Sequence, residues 1–338
     1  MTFTGIPGIL SLLYNSRYMK IHLPNSAFLG NIDTFLRSFD GNGPENLKIT
    51  ANEKWISVHP VVLSLTAALG QTVDPKNISC EPLTAKSKHY FERMGLFKLL
   101  RVNSGIKVVE HESAGRFIPL TQINNSSELT WFITEMIPLL HLEPIQADPI
   151  KYIVSELVRN VFEHSQSKYG AILCAQYYAK SNSIRIGIAD TGVGIKKTIN
   201  ESWPAKTDIE AIHLALIPGI TGTTRKEGGT EQNAGAGLFF IKSIAKVSRD
   251  FFMIYSGNAM YKLLKTDPRK QIRLYPNPTK DKHSKNEDLP YWQGTVVGVD
   301  INLNRKSEFS NLLDLIRKAY SEGVKERKEV RYKEARFI

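Results

Sequence analysis

Apolar and polar positions follow two rhythms along the chain. Leu29, Ile32, Phe35, Leu36 and Phe39 stand three or four apart, which predicts a helix over residues 29–39. Residues 20–23 alternate and predict a short strand ended by Pro24-Asn25. Within residues 47–58, Trp55-Ile56-Ser57-Val58 carries a strand signal. Pro60 suits the first turn of a helix through Leu69, with Gly70 as its stop. Residues 77–80 predict another strand. Residues 87–100 predict a helix with Phe91, Met94, Phe97 and Leu100 three apart, interrupted by Gly95. This alternation predicts a small α/β domain with a partly parallel sheet over residues 1–123. It contains no catalytic motif.

The pattern then changes. Asn124-Asn125-Ser126-Ser127 is a polar break, and Ser127 is placed to cap a helix over 128–142 that Pro138 kinks or ends early. Residues 144–149 have the composition of a linker, and a long helix is expected over 150–165. Residues 170–179 and 183–189 form a hairpin-like pair around Lys180-Ser181-Asn182. A turn over 190–195 and a long Gly/Thr-rich loop over 218–237, expected to be mobile, precede a helix over 238–248. Residues 251–256 and 294–301 are expected strands, separated by a polar segment rich in Lys and Pro. Phe309, Leu312, Leu313, Ile316 and Tyr320 mark an amphipathic helix over 308–320, followed by a solvated charged extension. The expected division is therefore 1–123, 124–304 and 305–338.

Length and composition narrow the function classes. A chain of 338 residues calls for two domains. Its 42% hydrophobic and 23% charged residues fit a globular protein and exclude a disordered one. No run of about 18 apolar residues exists, so no membrane-spanning helix is expected. The first twenty residues lack the pattern of a secretory signal. Cys80 and Cys174, the only two cysteines, sit in apolar, strand-like runs, which argues against a disulfide framework or a Cys-based metal site. A cytoplasmic location is expected. The net charge of +11, enriched over 265–285 and 305–338, is compatible with a nucleic acid or an acidic partner. It is equally compatible with a basic face that keeps the chain in solution.

Four separated elements carry candidate chemistry. Glu156, Asn160 and His164 recur at i, i+4 and i+8 and share one helix face. A carboxamide oxygen such as that of Asn160 is a hard ligand suited to Mg²⁺, and a Glu one turn away can orient or deprotonate an attacking group. Asp190-Thr191-Gly192-Val193-Gly194 directly follows a strand, where Asp190 can accept a hydrogen bond from an adenine amino group. Gly192 and Gly194 would let the backbone pass the base without a Cβ clash. Gly235-Ala236-Gly237-Leu238 opens a helix whose N–H groups can bind phosphate. Thr223, Thr224, Arg225 and Lys226 add polar groups that a solvated loop would also carry. Gly294-Thr295 opens the last apolar strand. Each element is a common local pattern when taken alone.

In this order, over residues 128–303, the four resemble the GHKL superfamily, which includes gyrase, Hsp90, histidine kinases and MutL. Glu156 and Asn160 match the N box, residues 190–194 the G1 box, residues 235–238 the G2 box and Gly294-Thr295 the last box. The S-E-x-V-x-N-x-x-x-H pattern is most similar to the anti-sigma-factor serine kinases. The resemblance implies an α/β sandwich with a mixed sheet, holding ATP and Mg²⁺. It implies that Asn160 holds the metal, that Asp190 reads adenine, and that Gly192, Gly194, Gly235, Gly237 and Leu238 border the nucleotide. Thr295 would support the adenine site and Glu156 would be the catalytic base. The long loop before Gly235 and the insertion over 265–290 depart from the small anti-sigma kinases. The N-terminal alternation resembles STAS-type domains, which partner those kinases.

The function expected from this is an Mg-ATP-binding regulatory protein, either an ATPase switch or a serine/threonine kinase acting on a protein partner. A non-hydrolysing ATP-gated interaction module and a nucleic-acid-associated ATPase are the alternatives. A homodimer is left open. A sensor histidine kinase is disfavoured, because His141-Leu142-Glu143-Pro144 lies too close to Asn160 for a separate acceptor domain.

Overall fold

A computed structural model describes residues 18–39, 44–107, 116–226, 235–304 and 309–334. Three strands near the N-terminus, β1 (Tyr18–Leu23), β2 (Asn46–Ala51) and β3 (Ile78–Cys80), pair in parallel in that order. Parallel neighbours need crossover connections. Helices α1 (Ile32–Leu36) and α2 (Pro60–Gln71) supply them, and α3 (Lys88–Arg93) and α4 (Leu96–Leu100) follow. The partly parallel α/β unit is as expected, but its second strand is not at 55–58. Trp55 is 52% exposed, and Val58 makes only a single bridge to Ala27. Gly70 does not stop α2 either. A Cβ there would stand 2.2 Å from Leu100 Cδ2, so this glycine lets α4 close on the helix. Gly95, at φ +74°, divides the expected 87–100 helix into α3 and α4.

The larger sheet has seven strands: β4 (Phe117–Ile123), β5 (Ala171–Tyr178), β6 (Ser183–Ala189), β7 (Phe252–Gly257), β8 (Ala259–Leu263), β9 (His283–Asn286) and β10 (Trp292–Asn302). Their spatial order is β4-β5-β6-β10-β7-β8-β9, and all neighbours run antiparallel. This corrects the expected mixed sheet. The reason lies in the connections: β5–β6 and β7–β8 are joined by short turns, and such turns reverse the chain. β8 and β9 arise inside the polar segment expected between the strands at 251–256 and 294–301, and β9 falls within the expected insertion over 265–290. β4 lies ahead of the boundary expected at residue 124.

Six more helices occur among the described residues: α5 (Ser126–Trp131), α6 (Pro144–Asn160), α7 (Ile195–Asn200), α8 (Asp208–Ala215), α9 (Gly237–Val247) and α10 (Phe309–Glu334). Asn125, not Ser127, caps α5, accepting the Glu128 N–H at 2.9 Å. The helix then widens into a π turn over Phe132–Met136 and tightens into a 3₁₀ turn at Pro138. The expected linker at 144–149 is instead the start of α6, with Pro144 in its first turn. α10 continues past the expected end at Tyr320, burying Gly323 and Val324. Parts of the expected long loop (residues 227–234) and of the charged extension (residues 335–338) lie outside the described residues. Among the described residues, no helix is long and apolar enough to cross a membrane, and Cys80 and Cys174 are not disulfide-bonded.

Both faces of the large sheet are covered. On β5, Ala171, Leu173 and Ala175 join the core beneath α6 and α9, whereas Ile172 and Cys174 join the core shared with the N-terminal unit. α2 is buried along its whole length against that second face. Two glycines permit the contact. A Cβ on Gly187 of β6 would stand 2.2 Å from the Val61 nitrogen, and one on Gly298 of β10 would stand 2.8 Å from Leu29 Cδ2. Polar contacts fix the seam. Ser64 Oγ donates to the Gly187 carbonyl at 2.9 Å. His59 Nδ1 accepts the Val61 N–H, so its protonated Nε2 donates to Asp300 Oδ1 at 2.8 Å. Arg185 lies 4.3 Å from the Phe28 ring centroid and 4.1 Å from that of Tyr178. A side chain at position 187 would separate these backbones. Gly187→Ala is expected to lower the unfolding free energy by roughly 2–3 kcal/mol, measured by urea denaturation.

Candidate functional site

A cavity of about 340 Å³ opens on the α6/α9 face of the sheet. Eight of the nine site residues expected from sequence line it: Glu156, Asn160, Asp190, Gly194, Gly235, Gly237, Leu238 and Thr295. Gly192 does not.

Asp190 marks one end. It follows β6 and is 4% exposed. Its N–H donates to the Thr295 carbonyl at 2.9 Å, and its carbonyl accepts the Trp292 indole N–H at 3.1 Å. Its Oδ1 accepts the Gly192 N–H at 2.8 Å. Burial pushes the carboxyl up to about 7, against the opposing pull of backbone N–H bonds. Gly294, at φ +118°, lets β10 run close to this turn, because a Cβ there would meet the Asp190 carbonyl at 2.2 Å. Gly192 makes a close backbone contact within the protein. A Cβ at Gly192 would stand 2.0 Å from the Ser165 carbonyl, which also accepts the Val193 N–H at 2.7 Å. The glycine therefore fits the turn against the end of the α6 segment. Ser256, unmarked in the sequence, joins both strands of the turn. Its hydroxyl donates to the Gly294 carbonyl at 2.6 Å and accepts the Ile195 N–H at 3.0 Å.

Glu156 and Asn160 mark the other end, on the last turns of α6. The helix then widens into a π turn over Val161–Ser165, so His164 departs from regular α spacing but still lines the cavity. The Asn160 amide nitrogen is buried and has no hydrogen-bond partner. Carboxamide nitrogen and oxygen can exchange places by a flip, so this position can present either atom to a ligand. Glu156 is half-buried. Burial raises its carboxyl above the usual range, Glu163 adds to the rise and Arg159 opposes it. α9 begins directly opposite. A Cβ on Gly237 would stand 2.7 Å from Glu156 Oε2 and 3.7 Å from Asn160 Nδ2. Ala236 precedes the helix and no side chain caps it, so its first N–H groups and their partial positive charge are not neutralised by a cap.

α9 is held from behind by a buried ion group. Lys242 Nζ lies 2.5 Å from Asp281 Oδ2 and donates to the Tyr275 carbonyl at 3.1 Å, and Lys246 Nζ lies 3.3 Å from Asp281 Oδ1. Sequence reading treated this region as an insertion and missed the contact. Between the two ends, Ile188, Ile199 and Val297 supply apolar wall. Thr221 and Gly222 line the cavity from the long loop, whereas Thr223, Thr224, Arg225 and Lys226 do not. Tyr152 also lines it. Its position four residues before Glu156 could have revealed it. No cluster of three or more His, Cys, Asp or Glu able to hold a metal occurs among the described residues. A divalent cation here would take Asn160 as its protein ligand, with the remaining positions left to ligand oxygens and water. The unpartnered amide and the side-chain-free approach at Gly237 fit such a group.

No family model matches the chain, and no curated protein sequence proves similar to it.

Asp190 binds its proton more tightly in the folded chain than in the unfolded one. Its contribution therefore favours folding at low pH and is lost as pH rises through the window from about 4 to about 7. Asp190→Asn keeps the acceptor for the Gly192 N–H and removes this penalty. At pH 8 the variant is expected to be more stable than wild type, by on the order of 2 kcal/mol. At pH 4 the advantage should vanish. Denaturant unfolding at the two pH values checks both.

Proposed function

We propose that this cavity binds Mg-ATP and that the protein is an ATP-dependent regulator of GHKL type, either an ATPase or a serine/threonine kinase with a protein acceptor. The observation that carries this reading is the convergence of eight residues, drawn from four separated motifs, on one cavity. The chemistry of its two ends supports it. A carboxylate beside an apolar wall suits an adenine amino group and its ring. An uncapped helix N-terminus beside an unpartnered carboxamide suits phosphates and their cation. The volume lies in the range of small-molecule sites.

In this reading Asp190 accepts the adenine amino hydrogen, and its neighbour Thr295 supports the base. The backbone at Gly235, Ala236 and Gly237 binds phosphate oxygens. Mg²⁺, when bound at Asn160, neutralises charge on the phosphates. Glu156 accepts the proton of the attacking hydroxyl, from water or from a Ser/Thr side chain, as the hydroxyl oxygen bonds to the γ-phosphorus and the bond from that phosphorus to the β,γ-bridging oxygen breaks, releasing ADP. Its raised pKa makes it a better base than an exposed carboxylate. The N-terminal unit, read as STAS-like, packs on the opposite face of the sheet. A protein acceptor would therefore be a separate chain.

Calorimetry and radiolabelled ATP test the proposal together. Wild type is expected to bind Mg-ATP, and Asp190→Asn to weaken adenine nucleotides by on the order of ten- to a hundredfold. Glu156→Gln should keep binding within about threefold while lowering hydrolysis or transfer by on the order of a hundredfold or more. Absence of binding in wild type sinks the reading. Equal loss of binding and turnover in Glu156→Gln would remove that residue from the catalytic role.

A further inference from the structure

Helix α10 touches, at three places, segments that carry or adjoin cavity residues. Near its start, the Phe309 ring centroid lies 5.9 Å from that of Tyr152, a cavity residue on α6. Midway, the Tyr320 ring lies 6.5 Å from Phe239 and 6.2 Å from Phe240, both in the first turn of α9. Gly323 then meets two prolines at once. A Cβ there would stand 2.5 Å from Pro276 Cβ and 3.4 Å from Pro218 Cγ. One turn later, on the same helix face, Arg327 Nη2 donates to the Pro218 carbonyl.

Pro218 leads into the wall nearest Gly237. The Gly219 N–H donates to the Gly235 carbonyl at 2.9 Å, and a Cβ on Gly235 would stand 2.5 Å from the Ile220 carbonyl. Ile220, Thr221 and Gly222 line the cavity on one side of this junction, and Gly235, Ala236 and Gly237 on the other. Displacement at Pro218 therefore shifts both sides. Farther along, the wall is tied through carbonyls. Trp203 Nε1–H donates to those of Thr221 and Thr224 at 3.0 and 3.1 Å, and Ser202 Oγ donates to that of Gly222 at 2.5 Å. Those donors lie 18 to 21 residues from their partners, whereas Arg327 lies 109 residues from Pro218. With the Gly323–Pro218 contact, it links the wall to the C-terminal helix.

We propose that α10 braces the cavity and that Arg327 is the positioning residue that fixes the wall from Pro218 to Gly222. The brace itself follows from the contacts; its effect on phosphate binding rests on the nucleotide reading above. A guanidinium holds a carbonyl more firmly than a neutral donor does, and its planar fork loses little freedom in doing so.

Hydrogen exchange on the full chain without nucleotide compares wild type, Arg327→Ala and Arg327→Lys. Arg327→Ala should speed amide exchange over residues 219–224 by on the order of five- to tenfold, with β5, β6 and β10 unchanged. Arg327→Lys, which can still donate to the carbonyl, should recover part of the protection. Unchanged exchange at 219–224 in Arg327→Ala overturns the brace, and so does an equal rise throughout the sheet. A second measurement follows release of Mg-ATP and of adenosine, which has no phosphate. Arg327→Ala should speed ATP release by on the order of fivefold and leave adenosine unaffected. Equal acceleration of both overturns the positioning role. A wild-type protein that binds neither compound refutes the nucleotide reading, and the exchange result then decides the brace alone.

Discussion

The contact between α2 and the back of the large sheet governs the remainder of the molecule. At Gly187 the helix backbone meets the strand backbone with no side chain between them. An antiparallel sheet can leave one face to solvent, but this one is covered on both. The N-terminal unit thus serves as the rear half of the core, sharing apolar residues with β5, β7, β8 and β10. The seam also carries His59, Asp300 and Arg185, which are buried or partly buried with partners, as polar groups away from water require. Fixing β6 and β10 from behind fixes Asp190 and Thr295, which stand at adjoining places on those strands in front.

The cavity owes its character to the separation of its two ends. At one end a buried carboxyl is held by backbone N–H groups in an apolar surround, and burial dominates its proton affinity. At the other, Asn160 and Glu156 face the start of α9, where helix geometry leaves N–H donors and partial positive charge. Gly237 allows that approach. The Lys242–Asp281–Lys246 group anchors α9 from the far side. Removing one member of such a buried group leaves an uncompensated charge, which costs far more than an exposed ion pair is worth. Segment 264–283 is therefore part of the support of the cavity, although it lies outside its lining.

α10 adds a second support. Its aromatic contacts reach α6 and α9, and its Gly323–Arg327 turn reaches Pro218. The cavity is thus enclosed by elements from most of the described chain: rear packing from the N-terminal unit, walls from the large sheet and its helices, and an outer brace near the C-terminus.

Much of this was legible in the sequence because it is written in short windows. Lys180-Ser181-Asn182 marks the turn that pairs β5 with β6, and the i, i+4 spacing of Glu156 and Asn160 puts them on one side of α6. The order of the motifs selected eight residues that line a single cavity. Other features depended on pairing between distant segments. The polar composition of residues 264–290 concealed β9, whose place is set by β8, and concealed Asp281, whose charge is matched by lysines on α9. The close approach of the Ser165 carbonyl to Gly192 had no signal in the local sequence. Gly70 resembled a helix stop until Leu100 closed on it. Arg327 looked like one more charge in a basic tail. Local sequence determined which residues could form strands, helix faces and the glycine-bearing turn that opens α9. Tertiary structure decided which glycines bring backbones together, which charges are buried, and which arginine holds the wall, because each of those depends on atoms contributed by a distant part of the chain.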